Sequence, residues 1–468
     1  MGKRNLSDQV VGHASLPGQR VPRLVLAMST RSKLPLLALV GPGLLVAATG
    51  VGAGDLATAA FAGSHLGVAV LWAVVVGAVL KLVLTEGLAR WQLVTGETLL
   101  EGAFARLGWP ARWFFGLYLV PWTFFVGAAL ISACGVTTHA LLPVFDQAED
   151  GKVVFGLVCS VLGGVLAWRG GYRLFERVMG FAVAIMFTTT VVSAALVADD
   201  WGAIARGLVV PTIPEVGGAG LGWTLALLGG VGGTLTVLCY GYWIREEGRH
   251  GVEQLRTCRI DLTVGYAATA IFGLAMVVIG STLGADARGA NLVVALGELL
   301  GERLGPGARW AFLFGAWCAV FSSLLGVWQA VPYLFADFWR LVVRSEDEAP
   351  VPQQGDSGST GCESESVNKA GPNATDLTST RPYRLYLLGI ATVPALGLFF
   401  GFQSIQKLYA VIGALFLPLL ALTLLLLNGR ERWLGAQRNG RGTTALLVLT
   451  LAFFLLAGWW KLQKSFGG

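Results

Sequence analysis

Gly229-Gly230-Val231-Gly232-Gly233-Thr234 interrupts an apolar run near its middle, and Gly50-Val51-Gly52-Ala53-Gly54-Asp55 interrupts an earlier run in the same way. Glycine weakens a helix by about 1 kcal/mol relative to alanine. An ionised Asp55 at bilayer depth adds roughly 2.5–3.5 kcal/mol on insertion scales. A chain that concentrates both penalties in six positions has a use for them. In membrane carriers that use is an unwound stretch whose freed carbonyls and single carboxylate hold an ion or substrate. The two interruptions lie five spans apart, so the second copy enters the membrane from the opposite face. This is the pattern of a five-plus-five inverted repeat whose helices 1 and 6 are broken at the midplane. The spacings Gly50-x-x-x-Gly54 and Gly229-x-x-x-Gly233 also suit close helix packing. Packing needs no carboxylate, however, and Asp55 tips the first interruption towards unwinding.

Composition sets the class. Of 468 residues, 54% are hydrophobic and 13% charged, against about 25% charged in a soluble domain. Apolar runs long enough to cross a core of about 30 Å recur throughout. The fold class expected is an all-α polytopic membrane protein of about eleven helices. The spans fall near 35–62, 66–90, 112–142, 153–168, 178–198, 220–243, 261–283, 307–339, 384–402, 406–427 and 443–461. The first repeat then covers 35–198 and the second 220–427, with 443–461 an appended helix. Residues 1–34 form a polar, basic tail without a cleavable signal pattern. Residues 345–380, rich in Ser, Gly, Asp, Glu and Pro, have too few large apolar residues to bury a core and are expected to be a disordered cytoplasmic loop.

With the N-terminus in the cytoplasm, 25 Lys and Arg fall on cytoplasmic segments, 8 on external ones, and Lys81 stays inside a span. The positive-inside rule therefore predicts N-in, C-out, in a cell (inner) membrane. The basic residues are spread over loops rather than clustered, so no nucleic-acid partner is expected; the lipid bilayer and a small solute or ion are. The six cysteines show no metal-ligand or disulfide spacing and read as small buried hydrophobes. Most of the sixteen tryptophans, including Trp122, Trp223, Trp243 and Trp328, are expected in an interfacial aromatic belt.

Candidate site residues gather at the breaks. Asp55, the carbonyls of Val51, Gly52 and Gly233, and the hydroxyls of Thr49, Thr234 and Thr236 would make an all-oxygen site, the donor set that Mg²⁺ prefers and Mn²⁺ tolerates. Lys81 and Glu86 both lie within or close to span two. Lys81 either pairs with Asp55 or Glu86 and replaces a coupling ion by a fixed charge, or snorkels from a tilted helix while Glu86 belongs to the interface. His139 and His65, near external ends, are candidate proton relays. Glu246 and Glu247, among Arg245 and Arg249, read as a solvated helix end, and Asp261 as an acid at the start of span seven.

Several stretches together resemble the Nramp family of divalent-metal transporters. Gly41-Pro42-Gly43-Leu44-Leu45-Val46-Ala47-Ala48 with Gly52-Ala53-Gly54-Asp55-Leu56-Ala57-Thr58 looks like the family's first span, where a DPGN motif sits. Ala89-Arg90-Trp91-Gln92-Leu93-Val94-Thr95-Gly96 resembles the end of its second, Gly171-Tyr172-Arg173-Leu174-Phe175-Glu176-Arg177 the start of its fifth, and Phe321-Ser322-Ser323-Leu324-Leu325-Gly326 its eighth. The resemblance implies the amino-acid-transporter (LeuT-like) fold, a divalent-metal substrate and proton coupling. The motif positions themselves differ. The family's first-motif Asp, Pro and Asn align with Gly52, Ala53 and Asp55, and its sixth-span Met-Pro-His with Thr236-Val237-Leu238. The acidic third-span positions linked to proton movement correspond to Ala129 and Ser132, and the tenth-span Gln to Ala410 or Phe416. The soft thioether that discriminates transition metals is thus missing.

Three functions remain in view. The first is an alternating-access secondary transporter of a small cation, most simply a divalent metal such as Mg²⁺ or Mn²⁺. The second is a transporter of a small organic solute, with Na⁺ coupling or the fixed Lys81 charge. The third is a non-transporting sensor signalling through 345–380. No enzyme chemistry and no bound cofactor is expected: no phosphate-cradling loop and no nucleophile–base pair is legible.

Overall fold

The computed structural model describes residues 41–52, 56–169, 171–215, 220–230, 232–282, 291–347 and 377–466. Among these residues every regular element is helical. The first span is divided: α1 (Gly41–Gly50) passes into a short, wider π-type turn at Val51 and Gly52, and α2 (Leu56–Leu66) resumes beyond the break. A 3-10 turn at Gly67–Val70 joins α2 to α3 (Leu71–Thr95). The short amphipathic α4 (Leu99–Leu107) precedes α5 (Trp109–Leu141), α6 (Ala148–Arg169) and α7 (Gly171–Val197), which complete five spans.

A second amphipathic helix, α8 (Trp201–Val209), leads to the second half. There the opening span is again divided, into α9 (Gly220–Gly230), a 3-10 turn at Leu235–Leu238 and α10 (Cys239–Glu246). It continues with α11 (Leu255–Ser281), α12 (Asn291–Leu304) and the long α13 (Pro306–Asp347). Then come α14 (Arg381–Thr392) running into a 3-10 segment, α15 (Phe402–Ala414), α16 (Phe416–Asn428), the single turn α17 (Glu431–Leu434) and α18 (Arg441–Phe466). Eight stretches among the described residues are long and apolar enough to cross a membrane, and α16 and Arg441–Leu455 are shorter apolar helices.

The core lies between the two halves. Helix α1 packs on α11 and α13, α5 on α6 and α13, and α7 on α13. Large apolar side chains on α6, such as Val158 and Val161, and on α7, such as Phe181, are exposed, as lipid-facing positions should be. The amphipathic connectors α4, α8 and α12 carried no span-length signal and were not expected. Residues 348–376, most of the expected loop, and the tail 1–34 lie outside the described residues.

At the basic end of the bundle, two buried polar networks tie the broken helices to their neighbours. Asp261, fully buried, accepts from Gly43 N at 2.9 Å, Tyr240 Oη at 3.0 Å and Arg249 Nη1 at 2.9 Å. Asp261 thus sits in the second turn of α11, not at its start, and clamps the first residues of α1. Arg245 and Arg249 are buried rather than solvated: Arg249 also meets Glu247 at 2.8 Å, and Arg245 donates to Gly96 O at 2.8 Å. In the second network Asp337 of α13 accepts from Tyr242 Oη at 2.7 Å and Thr98 Oγ1 at 3.1 Å, beside Arg340. Glu101 of α4 joins Arg245 and Arg340 there. Burial alone would raise the Glu101 carboxyl, but Arg245, the Thr98 backbone N–H and Arg340 outweigh it and hold the group below the ordinary carboxylate value.

Candidate functional site

The two glycine-rich breaks meet backbone to backbone. A methyl on Gly50 would lie 2.5 Å from Gly233 N and 2.6 Å from Gly232 C, so only glycine permits this approach. Gly232 and Gly233 have φ of 83° and 85°, left-handed values that a side chain would strain. They end α9 and turn the chain towards Thr234. On the other side Gly52 lies against Ser323 of α13, where a methyl would overlap the Ser323 side chain.

These approaches leave a small cavity of about 10 Å³, lined by Thr49, Gly50 and Gly52 of the first break, Thr234 and Thr236 of the second, Trp122, Val126 and Leu130 of α5, Ser323 and Val327 of α13, and Tyr409 of α15. That is about the room one water or one small ion occupies. Its oxygen atoms are oriented by the bonds they make. Thr49 Oγ1 donates to Leu45 O at 2.7 Å, and Ser323 Oγ donates to Ala48 O at 2.9 Å. Each hydroxyl proton is thereby directed at a main-chain carbonyl, and the remaining lone pairs can accept. Trp122 Nε1 donates to Thr234 Oγ1 at 3.0 Å, which fixes that hydroxyl across the cavity. The result is a pocket with a face of hydroxyl oxygens and an apolar face of Val126, Leu130 and Val327.

Of the residues expected from the sequence, Thr49, Gly52, Thr234 and Thr236 line this cavity. Val51 is buried beside it, and Gly233 shapes it by touching Gly50. Asp55 lies outside the described residues. Glu86 stands apart from the cavity, paired with Arg259 at 2.8 Å and Arg90 at 3.3 Å. Lys81 does not snorkel: it is fully buried and its Nζ donates to Gly229 O at 2.9 Å, in the last turn of α9. His139 packs against Gly151 of α6, 17 positions along α5 from Trp122 or about 25 Å at helical rise, and so is not part of the cavity. His65 stacks on Trp223.

Ser323, Trp122 and Tyr409 were missed as site residues. Trp122, expected from the sequence in an interfacial belt, is fully buried, as are Trp243, which donates to Gln329, and Trp328, which donates to Ser160 O. The apolar surroundings of these indoles are internal, and hydropathy cannot tell an internal aromatic from an interfacial one. Among the described residues no three His, Cys, Asp or Glu side chains gather into a soft or carboxylate-rich metal cluster. Cys239 is buried in the second break but does not line the cavity.

Comparison with known proteins places this geometry. An uncharacterized protein of Pasteurella multocida is 25% identical over 328 residues, 67% of this chain and 73% of its own length. The divalent metal cation transporter MntH of Chromohalobacter salexigens is 22% identical over 256 residues, 53% of this chain and 57% of that protein. MntH of Yersinia pestis is 26% identical over 188 residues, 38% and 43% respectively. The chain thus aligns with only about half the length of these MntH relatives. Among solved structures, a variant of the Eremococcus coleocola manganese transporter superposes with a TM-score of 0.64 at 17% identity, over 90% of this chain and 85% of that one. The nucleobase-cation-symport-1 transporter Mhp1 superposes with a TM-score of 0.53 at 14% identity, over 92% and 93%. These likenesses establish the five-plus-five transporter fold. The family model described as natural resistance-associated macrophage protein-like matches residues 43–463, and the chain belongs to that family, Nramp.

Proposed function

We propose that this Nramp protein is an alternating-access secondary transporter whose substrate is a small, hard divalent cation such as Mg²⁺ or Mn²⁺, held between the two broken helices. The observation that carries the reading is the cavity itself: its size suits one ion, and the Thr49 and Ser323 hydroxyls turn lone pairs rather than protons towards it. Hard cations take oxygen ligands and Mg²⁺ keeps part of its water shell, so hydroxyls, carbonyls and one carboxylate would suffice. We assign that carboxylate to Asp55 on the sequence. The names of the MntH relatives and of the manganese transporter support a metal substrate. The missing thioether and histidine argue for a harder ion than those a soft site selects.

The basic end is assigned to the cytoplasm from the charge bias, and the Asp261 and Asp337 networks there would keep that side shut in this conformation. The direct test is uptake of Mg²⁺ and Mn²⁺ by proteoliposomes containing the wild type or Asp55→Ala. Wild-type uptake that disappears in a folded Asp55→Ala protein is expected; metal uptake retained by that variant would sink the assignment.

A further inference from the structure

Lys81 is the charged side chain that the cavity does not use. It projects from the middle of α3, fully buried, and its Nζ donates to Gly229 O at 2.9 Å. Gly229 belongs to the last turn of α9, where the final carbonyls of a helix have no partner within the helix and the helix dipole places its negative end. The α9 terminus is not a chain end but one lip of the second break. The Lys81 stem runs beside that break: a methyl built on Gly232 would lie 3.4 Å from Lys81 Cδ, 3.1 Å from Tyr266 and 3.4 Å from Thr269. Gly232 in turn touches Gly50, which lines the cavity. The break therefore has two sides, with the oxygen-lined cavity on one and a lysine on the other.

In transporters built on two broken helices, half-helix C-terminal ends and unwound carbonyls are where coupling cations such as Na⁺ bind. We propose that the Lys81 ammonium is a tethered cation at that position. It supplies permanently the positive charge that a diffusible coupling ion supplies elsewhere, so this chain needs no Na⁺ to hold its second break in shape. The surroundings suit a tethered charge: α3 and α11 are pinned together one turn away by Thr85 and Tyr266, whose hydroxyls lie 2.6 Å apart. Gly77 lets α3 press directly on the main chain of Leu228. The ammonium is thus carried on a helix held firmly against α9, and its position relative to Gly229 is fixed by packing.

A neutral hydrogen-bond cap on Gly229 would explain the same contact without any role for charge. Two substitutions separate these ideas: Lys81→Gln keeps a donor and removes the charge, while Lys81→Met keeps the length and removes both. The purified full chain in lipid nanodiscs is melted in NaCl and in choline chloride at equal ionic strength. The wild type should melt at the same temperature in both. Lys81→Met and Lys81→Gln should melt lower in choline chloride and recover by about 3 °C or more in NaCl, as a ligand that binds only the folded state requires.

Wild-type stabilisation by Na⁺, or a Lys81→Gln protein as stable as wild type in choline chloride, would overturn the proposal. So would a folded Lys81→Met protein indifferent to Na⁺. If Lys81→Met does not fold, the wild-type and Gln arms still decide. A second arm, which rests on the transporter reading, measures uptake: wild-type uptake should be unchanged when choline replaces Na⁺, and that of the variants should fall at least about tenfold. Absence of any wild-type uptake would remove the cation-transport reading and leave the melting arm to judge Lys81.

Discussion

Trp122 and Thr234 connect the third span to the broken sixth through one hydrogen bond, Nε1 to Oγ1 at 3.0 Å. It is a contact between the two repeats, made inside the cavity wall, and it holds a hydroxyl whose two preceding residues, Gly232 and Gly233, have left-handed backbone angles.

Trp122→Phe keeps most of the ring volume and deletes the donor. A buried hydrogen bond contributes about 1 kcal/mol net to stability, so melting should drop slightly, and apparent substrate affinity should fall up to about fivefold because the Thr234 hydroxyl is no longer held across the cavity. Concentration-dependent uptake measures this, and an unchanged half-saturation would mean that Thr234 takes no part in binding.

Gly50→Ala places a methyl 2.5 Å from Gly233 N. Main chain cannot move aside as a flexible side chain can, and overpacking of this kind costs about 1–3 kcal/mol. Melting should drop and uptake should fail. Gly222→Ala is the control: its methyl meets nothing within 4 Å, and it should leave stability unchanged or raise it by up to about 1 kcal/mol.

Asp261→Asn weakens the clamp on α1. Arg249 keeps Glu247 but loses a fully buried partner. Outright removal of one member of such a pair costs about 3–5 kcal/mol, and the isosteric amide less. In a variant retaining Cys258 alone, buried one turn away on α11, thiol labelling should accelerate at least about tenfold as the basic end loosens. Unchanged labelling would show that the pair does not guard that side.

Glu101 gives a pH signature. Its carboxyl is held below the ordinary value of 4.5 in the folded chain. A depressed folded value means stability that is present above the unfolded value and lost as pH falls through the folded one. Wild-type melting should therefore decline below about pH 4.5. Glu101→Gln should melt lower at pH 7 and show a shallower acid decline. Melting curves from pH 7 to 3 test both points.

The sequence made the two breaks legible because glycine clusters and a carboxylate violate what a membrane helix needs, and such violations stand out locally. Thr49, Thr234 and Thr236 could be placed at the cavity because they lie within or beside the glycine clusters. Ser323 and Tyr409 could not, since each sits in an ordinary apolar helix and reaches the cavity only through long-range packing. The same holds for Asp261 and Arg249, twelve positions apart and read as a helix start and a solvated end. A charge near a span boundary looks alike whether it faces water or a buried partner. Lys81 was visible as an anomaly, but its contact with Gly229 O is to a main-chain carbonyl, and no sequence pattern marks which carbonyl is left over at a helix end.

The cavity wall at Gly50 and Gly52 has a consequence for selectivity. Where a site is built from side chains, its width can be adjusted by exchanging one residue for another of different bulk. Here part of the wall is peptide backbone, and the glycines already carry the smallest possible substituent. Substitution at these positions can narrow the opening but cannot widen it. With the ion held in this cavity as proposed, changes in preference must then come from the side chains beside these glycines, from Thr49, Thr234, Thr236 and Ser323. The calibre of the site is inherited with the fold, while its taste is open to point mutation.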